Sequence, residues 1–326
     1  MSMRIFILVF LLLLPEVSQA TTFSVCPAQN KCCEPCGCPK SCGFTSIQDA
    51  VNAASPGDTI LVHCAYYNEK LLINKKVDIR GSGMPTIFNT KDSDSTVILS
   101  VDGITFEGFE VRNSKTAGIY VTSDRNTIKN NVIKGRVGIY FNNSNSNIFS
   151  SNLVANRSLE GVRMVRSRGN TIEGNVISDN LDGIAIYALS NNNIISTNVV
   201  ARNDYQGILI CHSDGLKLTG NRVFGNYYGI YLSPSNGSVI RSNDISNNGY
   251  AGLEILDGCM NSMVSGNTIN ANLESGVNIY GSSGNWIKNN VIRFNKYGLT
   301  RAKAKNNFIY GNSITDNWSA NLHDWT

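Results

Sequence analysis

The chain has 326 residues, of which 42% are hydrophobic and only 16% charged, with a formal net charge of +4. This balance excludes a strongly basic nucleic-acid binder, because phosphate recognition draws on dense positive charge. The surface is left mostly to Asn, Ser, Thr and Gly, which suits neutral hydrogen-bonding partners such as glycans.

Residues 1–20 carry Arg4, the apolar run Ile5 to Leu14, then Pro15 and Ser18-Gln19-Ala20. A charged start, a short apolar core and small residues at the last and third-last positions predict a cleavable secretory signal, with an uncleaved anchor as the alternative. The mature chain is then expected to begin near Thr21 and to be secreted, periplasmic or at the cell surface. No later apolar run has membrane length, so no transmembrane segment is expected in it.

Residues 21–44 form a Cys-rich segment with Cys26, Cys32, Cys33, Cys36, Cys38 and Cys42, and Cys64 follows. In an exported chain such density predicts disulfides that pin a segment too small to bury a core. The alternative is a metal, since Cys33-x2-Cys36-x-Cys38-x3-Cys42 near His63 offers soft ligands for Cu or Zn. The nine cysteines are an odd number, so at least one is free, paired with another chain or bound to something.

Residues 45–102 read as a cap and first rungs. Thr45-Ser46-Ile47-Gln48 has the form of a capping box, and Ile47, Ala50, Val51 and Ala54 fall on one helical face. Pro56-Gly57-Asp58 ends that helix, and short strands are predicted over Thr59–Val62, Lys70–Ile73 and Lys76–Arg80. A short amphipathic helix here would cover the open end of a stack of strands.

From residue 103 to 326 one message repeats ten times: an Asn, a second Asn a few residues on, then a Gly-aliphatic pair. The Gly falls at 118, 138, 161, 183, 207, 229, 252, 276 and 298, a mean period of 22.5. That is too short for two helices, and the apolar residues alternate, as in Gly183-Ile184-Ala185-Ile186-Tyr187. Alternation means strands with one face buried. The unit that satisfies both constraints is one rung of a parallel β-helix, an all-β solenoid of about ten or more rungs stacked at about 4.8 Å. Asn131, Asn152, Asn175, Asn198, Asn221, Asn243, Asn267, Asn290 and Asn312 then form one file, and Asn156, Asn180, Asn203, Asn226, Asn248, Asn272, Asn295 and Asn317 another. Asn suits a corner because it tolerates left-handed backbone and its amide can bond the rungs above and below.

The stretch Thr45 to Ile60, with Tyr67-Asn68-Glu69, Leu72-Ile73 and Asp78-Ile79-Arg80-Gly81-Ser82-Gly83, resembles the opening of right-handed β-helix proteins of the pectin-lyase-like superfamily. The downstream Asn/Gly-Ile rungs resemble its carbohydrate-binding and sugar-hydrolysis repeat group and the periplasmic copper-binding protein NosD family. The resemblance implies a right-handed parallel β-helix over 45–326. It implies no single activity, since members include lyases, hydrolases, uronan epimerases and non-catalytic surface proteins. Relatives usually show Pro-Gly where this chain has His63-Cys64-Ala65-Tyr66, a departure that suggests Cys64 bonds the Cys-rich segment.

A glycan site is expected on an outward strand face. Counting from each rung Gly places Tyr120, Tyr140, Arg163, Ala185, Leu209, Tyr231, Glu254, Asn278 and Thr300 in one outward file and Asn142, Tyr187, Cys211 and Tyr280 in a second. Tyr120, Tyr140, Tyr187, Tyr231, Glu254, Asn278 and Tyr280 are the candidate substrate-binding residues, since Tyr rings stack on sugars and polar groups bond hydroxyls. Exposed Tyr also simply favours strands, which is the plainer alternative. For chemistry, Glu160 and Asp182 precede the Gly of adjacent rungs and should lie about 5 Å apart, with Arg163 beside them, Asp204 one rung on and His212 as a possible base. Such a pair can act as acid and base or hold Ca²⁺ against a uronate, and solvated turn carboxylates are the alternative. Lys288, Arg293, Lys296, Arg301, Lys303 and Lys305 predict attraction of acidic polymers by the last rungs, and Trp318 with Trp325 an apolar lid on that end.

The expectation is therefore a polysaccharide-binding β-helix with possible lyase, hydrolase or epimerase activity. A non-catalytic surface rod and, by the NosD resemblance, a copper-handling protein are the alternatives.

Overall fold

The computed structural model describes residues 19–27, 41–89, 94–155 and 159–325. The alternating apolar residues build three parallel sheets. Sheet 1 runs from Thr22–Val25 through Thr59–His63 to Phe308–Tyr310 with 13 strands, sheet 2 from Tyr66–Asn68 to Ser313–Thr315 with 12, and sheet 3 from Leu71–Ile73 to Ala320–Trp325 with 12. Each strand pairs only with its equivalents in the rungs before and after, as Ile172 does with Phe149 and Ile195. The chain is a right-handed parallel β-helix.

The central residue of each short strand points inward. Ile172, Ile195 and Leu218 line sheet 1, Ile177, Val200 and Val223 line sheet 2, and Ile184, Ile186, Ile208 and Ile210 line sheet 3, all fully buried. Each contributes about 1.5–3 kcal/mol by leaving water. The rung Gly is required by close approach: a Cβ on Gly183 would lie 2.5 Å from Gly207 O and 2.5 Å from Val200 Cγ1.

Both expected asparagine files form. In the first, Asn175 N and Nδ2 donate to Asn198 Oδ1 at 2.9 and 3.0 Å, and the pattern repeats from Asn131 to Asn312. In the second it runs from Asn180 to Asn317; Asn156 lies outside the described residues. The backbone differs from the expectation in one respect. The left-handed residue is the one before each ladder Asn, as at Asn130, Ser151, Gly174 and Thr197. The bend at that position turns the following side chain inward, where its amide meets the neighbouring rungs. A third ladder, Asn126-Asn147-Asn170-Asn193, stands at the remaining corner and resumes at Asn285-Asn307.

At the N-terminal end the helix Ile47–Ala53 buries Ile47, Ala50 and Val51. Its cap is Ser46, one residue beyond Thr45, and Ser46 Oγ accepts from Asp49 N. The orphan amides of Ile47 and Gln48 donate to the Glu69 carboxylate from the first rung, at 3.1 and 3.0 Å, so Gln48 is released to bond Leu72. Cys26 and Cys42 form a disulfide, and Cys64 is buried. Of the signal expected over residues 1–20, residues 1–18 lie outside the described residues, as do Cys32, Cys33, Cys36 and Cys38. Trp318 does not act as a lid. It is 63% exposed, because the last rung leaves Ile309 and Ile314 only partly covered.

Candidate functional site on the outer face of sheet 3

Strands of sheets 1 and 2 are mostly three residues long, whereas sheet 3 lengthens to six at Glu160–Val165, Asp182–Tyr187, Gln206–Cys211 and Tyr228–Ser233. The glycine near the start of each of these strands lets the chain run close over the second Asn ladder and continue the sheet. Sheet 3 therefore offers the widest outward surface. Its register sets Tyr120, Tyr140, Arg163, Ala185, Leu209, Tyr231, Glu254, Asn278 and Thr300 in one file.

Two clusters stand on this face. In the first, Glu160 and Asp182 are direct partners in register. The Arg163 guanidinium lies 5.1 Å from the Tyr140 ring centre and 5.9 Å from that of Tyr187, with Nη1 3.7 Å from Glu160 Oε1. Tyr120 packs beside Tyr140 at 5.2 Å and its hydroxyl accepts from Asn142 Nδ2. Glu160 Oε2 and Arg163 Nε are buried and have no protein partner. Burial raises the Asp182 carboxyl to about 6, against the pull of the Gln206 amide that donates to its Oδ1 and with a smaller push from Glu160. Burial, with Asp182 and Glu160 close by, raises the Tyr187 phenol to about 12. A carboxyl titrating near neutrality beside a second carboxylate and an arginine can exchange a proton or bind an oxygen-rich ligand.

The second cluster centres on Glu254, which is 3% exposed. Asn278 Nδ2 donates to Glu254 Oε2 at 2.7 Å, the Thr300 hydroxyl donates to Asn278 Oδ1 at 2.7 Å, and Ser275 Oγ lies 3.1 Å from Thr300 Oγ1. Burial raises the Glu254 carboxyl to about 7, opposed by the Asn278 bond. Beside it stands a wall at the corner between sheets 2 and 3. Tyr205, Tyr227 and Tyr250 lie parallel with centres 6.0 and 5.7 Å apart, and Tyr228 packs edge-on against all three and against Tyr231.

Several predicted residues lie elsewhere. The rung after Asp182 presents Gln206, and Asp204 is exposed at the corner, because two corner residues intervene before the strand begins. His212 follows the far end of the strand, about 20 Å along it from Gln206, with its Nδ1 3.0 Å from Cys211 Sγ. Tyr280 is near the C-terminal end under Lys303. The expected basic field is partly neutralised, since Lys296 pairs with Glu274 and Arg301 with Asp324. The Tyr205-Tyr227-Tyr250 wall was missed although it carries a signal, an aromatic two residues before the Gly in three consecutive copies.

Among the described residues no three His, Cys, Asp or Glu side chains gather as a metal would require. Nor, among them, is any helix long and apolar enough to cross a membrane.

The fold is shared with solved proteins of low identity. The A-module of a mannuronan C-5 epimerase from Azotobacter vinelandii superposes with TM-score 0.62 at 19% identity, covering 85% of each chain. PfbA, a surface adhesin of Streptococcus pneumoniae, does so with TM-score 0.64 at 15% identity, over 82% of this chain and 86% of that one. In sequence, a cell surface glycoprotein of Methanothermus fervidus is 28% identical over 292 residues, which are 82% of this chain and 46% of the relative. The chain thus spans less than half the length of that relative. The family model described as periplasmic copper-binding protein (NosD) matches residues 51–238 and 201–326, almost the whole of the β-helix, and the chain belongs to that family.

Proposed function

We propose that this chain is an exported β-helix, periplasmic or at the cell surface, that binds polysaccharide along the outer face of sheet 3. The observation that carries this reading is the exposed file Tyr205, Tyr227 and Tyr250 standing beside Glu254, a buried carboxyl of which one oxygen, Oε1, has no protein partner. Tyrosine offers a ring for sugar faces and a hydroxyl for their polar edges, and rungs repeating at about 4.8 Å suit a linear polymer laid along the axis. The names of the relatives, a cell surface glycoprotein, an adhesin and an enzyme acting on mannuronan, agree with an exported glycan-binding role.

Among the described residues no donor set matches the copper in the family's description: Cys26 and Cys42 are joined to each other, and Cys211 with His212 offers two donors without a third among those residues. The expected ligands Cys33, Cys36 and Cys38 lie outside the described residues.

A second reading, proton transfer on the bound sugar, is favoured by the register pairing of Glu160 with Asp182, of which the latter titrates near neutrality. One screen tests both. Acidic and neutral polysaccharides are scored for binding and for release of reducing or unsaturated ends. Binding is expected to fall about tenfold in Tyr227→Ala, equivalent to about 1.4 kcal/mol. Failure of every polysaccharide to bind would leave only the rod.

A further inference from the structure

This inference rests on the polysaccharide reading and names the class of sugar and the place where one unit of it sits. The second Asn ladder turns the chain from sheet 2 into sheet 3, and two files of residues flank it there. Arg202, Gly225 and Asn247 precede the ladder residues Asn203, Asn226 and Asn248, and Asp204, Tyr227 and Gly249 follow them. Together they line an open groove of about 470 Å³, within the size range of small-ligand sites.

The groove exists because two side chains are missing, and the fold demands neither absence. In the next rungs Ala271 and Phe294 stand where Gly225 does, and Leu273 and Lys296 where Gly249 does. Arg202, Asn247, Ala271 and Phe294 take left-handed backbone as Gly225 does, so a side chain is compatible with that corner. The nearest atom that a Cβ would meet is 3.5 Å away at either glycine, Arg202 Cγ from Gly225 and Tyr227 Cδ2 from Gly249. That is ordinary contact, unlike the 2.5 Å that makes Gly183 obligatory. Glycines that neither packing nor rung geometry requires, beside an exposed row of aromatic rings, leave room for a group from outside the chain.

The charge of the groove selects among sugars. Arg202 Nε and Nη2 donate to Asp179 Oδ1 and Oδ2 at 3.0 and 2.9 Å, so these two charges cancel. Asp204 is exposed and, among the described residues, pairs with no cation, which leaves the groove one negative charge. A carboxylate accepts hydrogen bonds and donates none. We propose that the groove seats one unit of a neutral polysaccharide, its apolar C–H face against Tyr227 and two adjacent hydroxyls donating to the Asp204 carboxylate. Tyr205 and Tyr250, on either side of Tyr227, extend the apolar wall along the axis. A uronate in the same place would set a second negative charge beside Asp204, where the cation of the groove is already taken by Asp179.

The test measures affinity for hexamers of glucose, mannose and xylose, linked so that each unit keeps two adjacent hydroxyls free, and for hexamers of mannuronate and galacturonate. At least one neutral hexamer should bind wild type about tenfold more tightly than either uronate, the equivalent of one hydrogen bond to a charged group. Asp204→Asn should bind that hexamer about tenfold more weakly and lose nothing toward the uronates. Gly249→Leu fills the hollow with the side chain that the next rung carries as Leu273, and should weaken binding by at least about tenfold. Circular dichroism confirms that each variant is folded. If a neutral hexamer binds and both variants match wild type, the groove is overturned while the glycan reading stands. If the uronates bind more tightly than every neutral hexamer, the sugar class is overturned and the glycan reading again stands. If no hexamer binds wild type, both fall.

Discussion

Replacing one ladder asparagine tests the physical basis of the fold without reference to any ligand. Asn198 is 1% exposed and makes four bonds: Oδ1 accepts from Asn175 N and Nδ2 at 2.9 and 3.0 Å, and Nδ2 donates to Ile172 O and Asn221 Oδ1 at 2.8 and 3.0 Å. Asn198→Ala deletes all four. The Asn175 side chain keeps its bond to Phe149 O, but its backbone N–H is left buried without an acceptor. One stranded donor costs about 1–3 kcal/mol and the other lost bonds about 0.5–1.5 kcal/mol each, so the rung should lose roughly 4 kcal/mol. Because a solenoid couples only neighbouring rungs, the loss should be local. Amide exchange should show the Asn175 N–H losing about a thousandfold in protection while amides near Ile292 keep theirs. Asn198→Asp, which retains acceptors but loses both donors and buries a charge, should be no better. Asn52→Ala, on the exposed side of the cap helix, should change stability by less than about 0.5 kcal/mol. Unchanged Asn175 protection in Asn198→Ala would show that the ladders decorate the corners without holding them.

Two further outcomes are expected. Gly207→Ala places a Cβ 2.7 Å from both Gly229 O and Val223 Cγ1, so it should destabilise by about 3 kcal/mol; Gly237→Ala, which has a positive φ but nothing within 4 Å, should cost about 1 kcal/mol by thermal denaturation. Stability should also fall as pH rises. Asp182 and Glu254 titrate at about 6 and about 7 in the folded chain, above ordinary carboxyl values, so between about pH 4 and 7 the native state holds more protons than the unfolded one. The stabilisation is complete below the unfolded values and lost as pH passes the folded ones. Glu254 accounts for about 3 kcal/mol of this, and Asp182 for roughly half as much after allowance for solvent screening. Denaturant midpoints at pH 5 and 8 should differ accordingly in wild type and converge in the Asp182→Asn, Glu254→Gln double variant.

What the sequence disclosed was whatever the fold repeats. Rung length, inward aliphatics, two of the three Asn files and the outward file of sheet 3 each recur every 22.5 residues on average, so one copy corrects the reading of the next. The third ladder escaped notice because Leu216, Ser238 and Ser262 interrupt it. Asp204 was grouped with Glu160 and Asp182 as the nearest carboxylate in the next copy, whereas the equivalent position, directly before Gly207, belongs to Gln206. The capping of the helix by Glu69 could not be read from local spacing at all, since the acceptor is more than 20 residues away and arrives only when the first rung closes.

The composition of the outward file bears on the choice between a binding face and a rod. Thr300 shows that a small neutral side chain closes that file without strain, and Ala185 shows that the sheet needs no charge there. A rod selected for stability alone would use such residues throughout, because core and ladders already fix the backbone and an outward side chain is free to vary. At Glu160 and Glu254 the chain instead buries carboxyls and leaves Oε2 and Oε1 without protein partners, and it encloses Nε of the half-buried Arg163 in the same way. Unsatisfied buried polar atoms lower stability, and the two carboxylates among them, Glu160 and Glu254, both stand on the sheet whose strands are longest. Local departures from such a rule are where a fold tends to carry function, which supports the proposed binding role of this face over length as its only purpose.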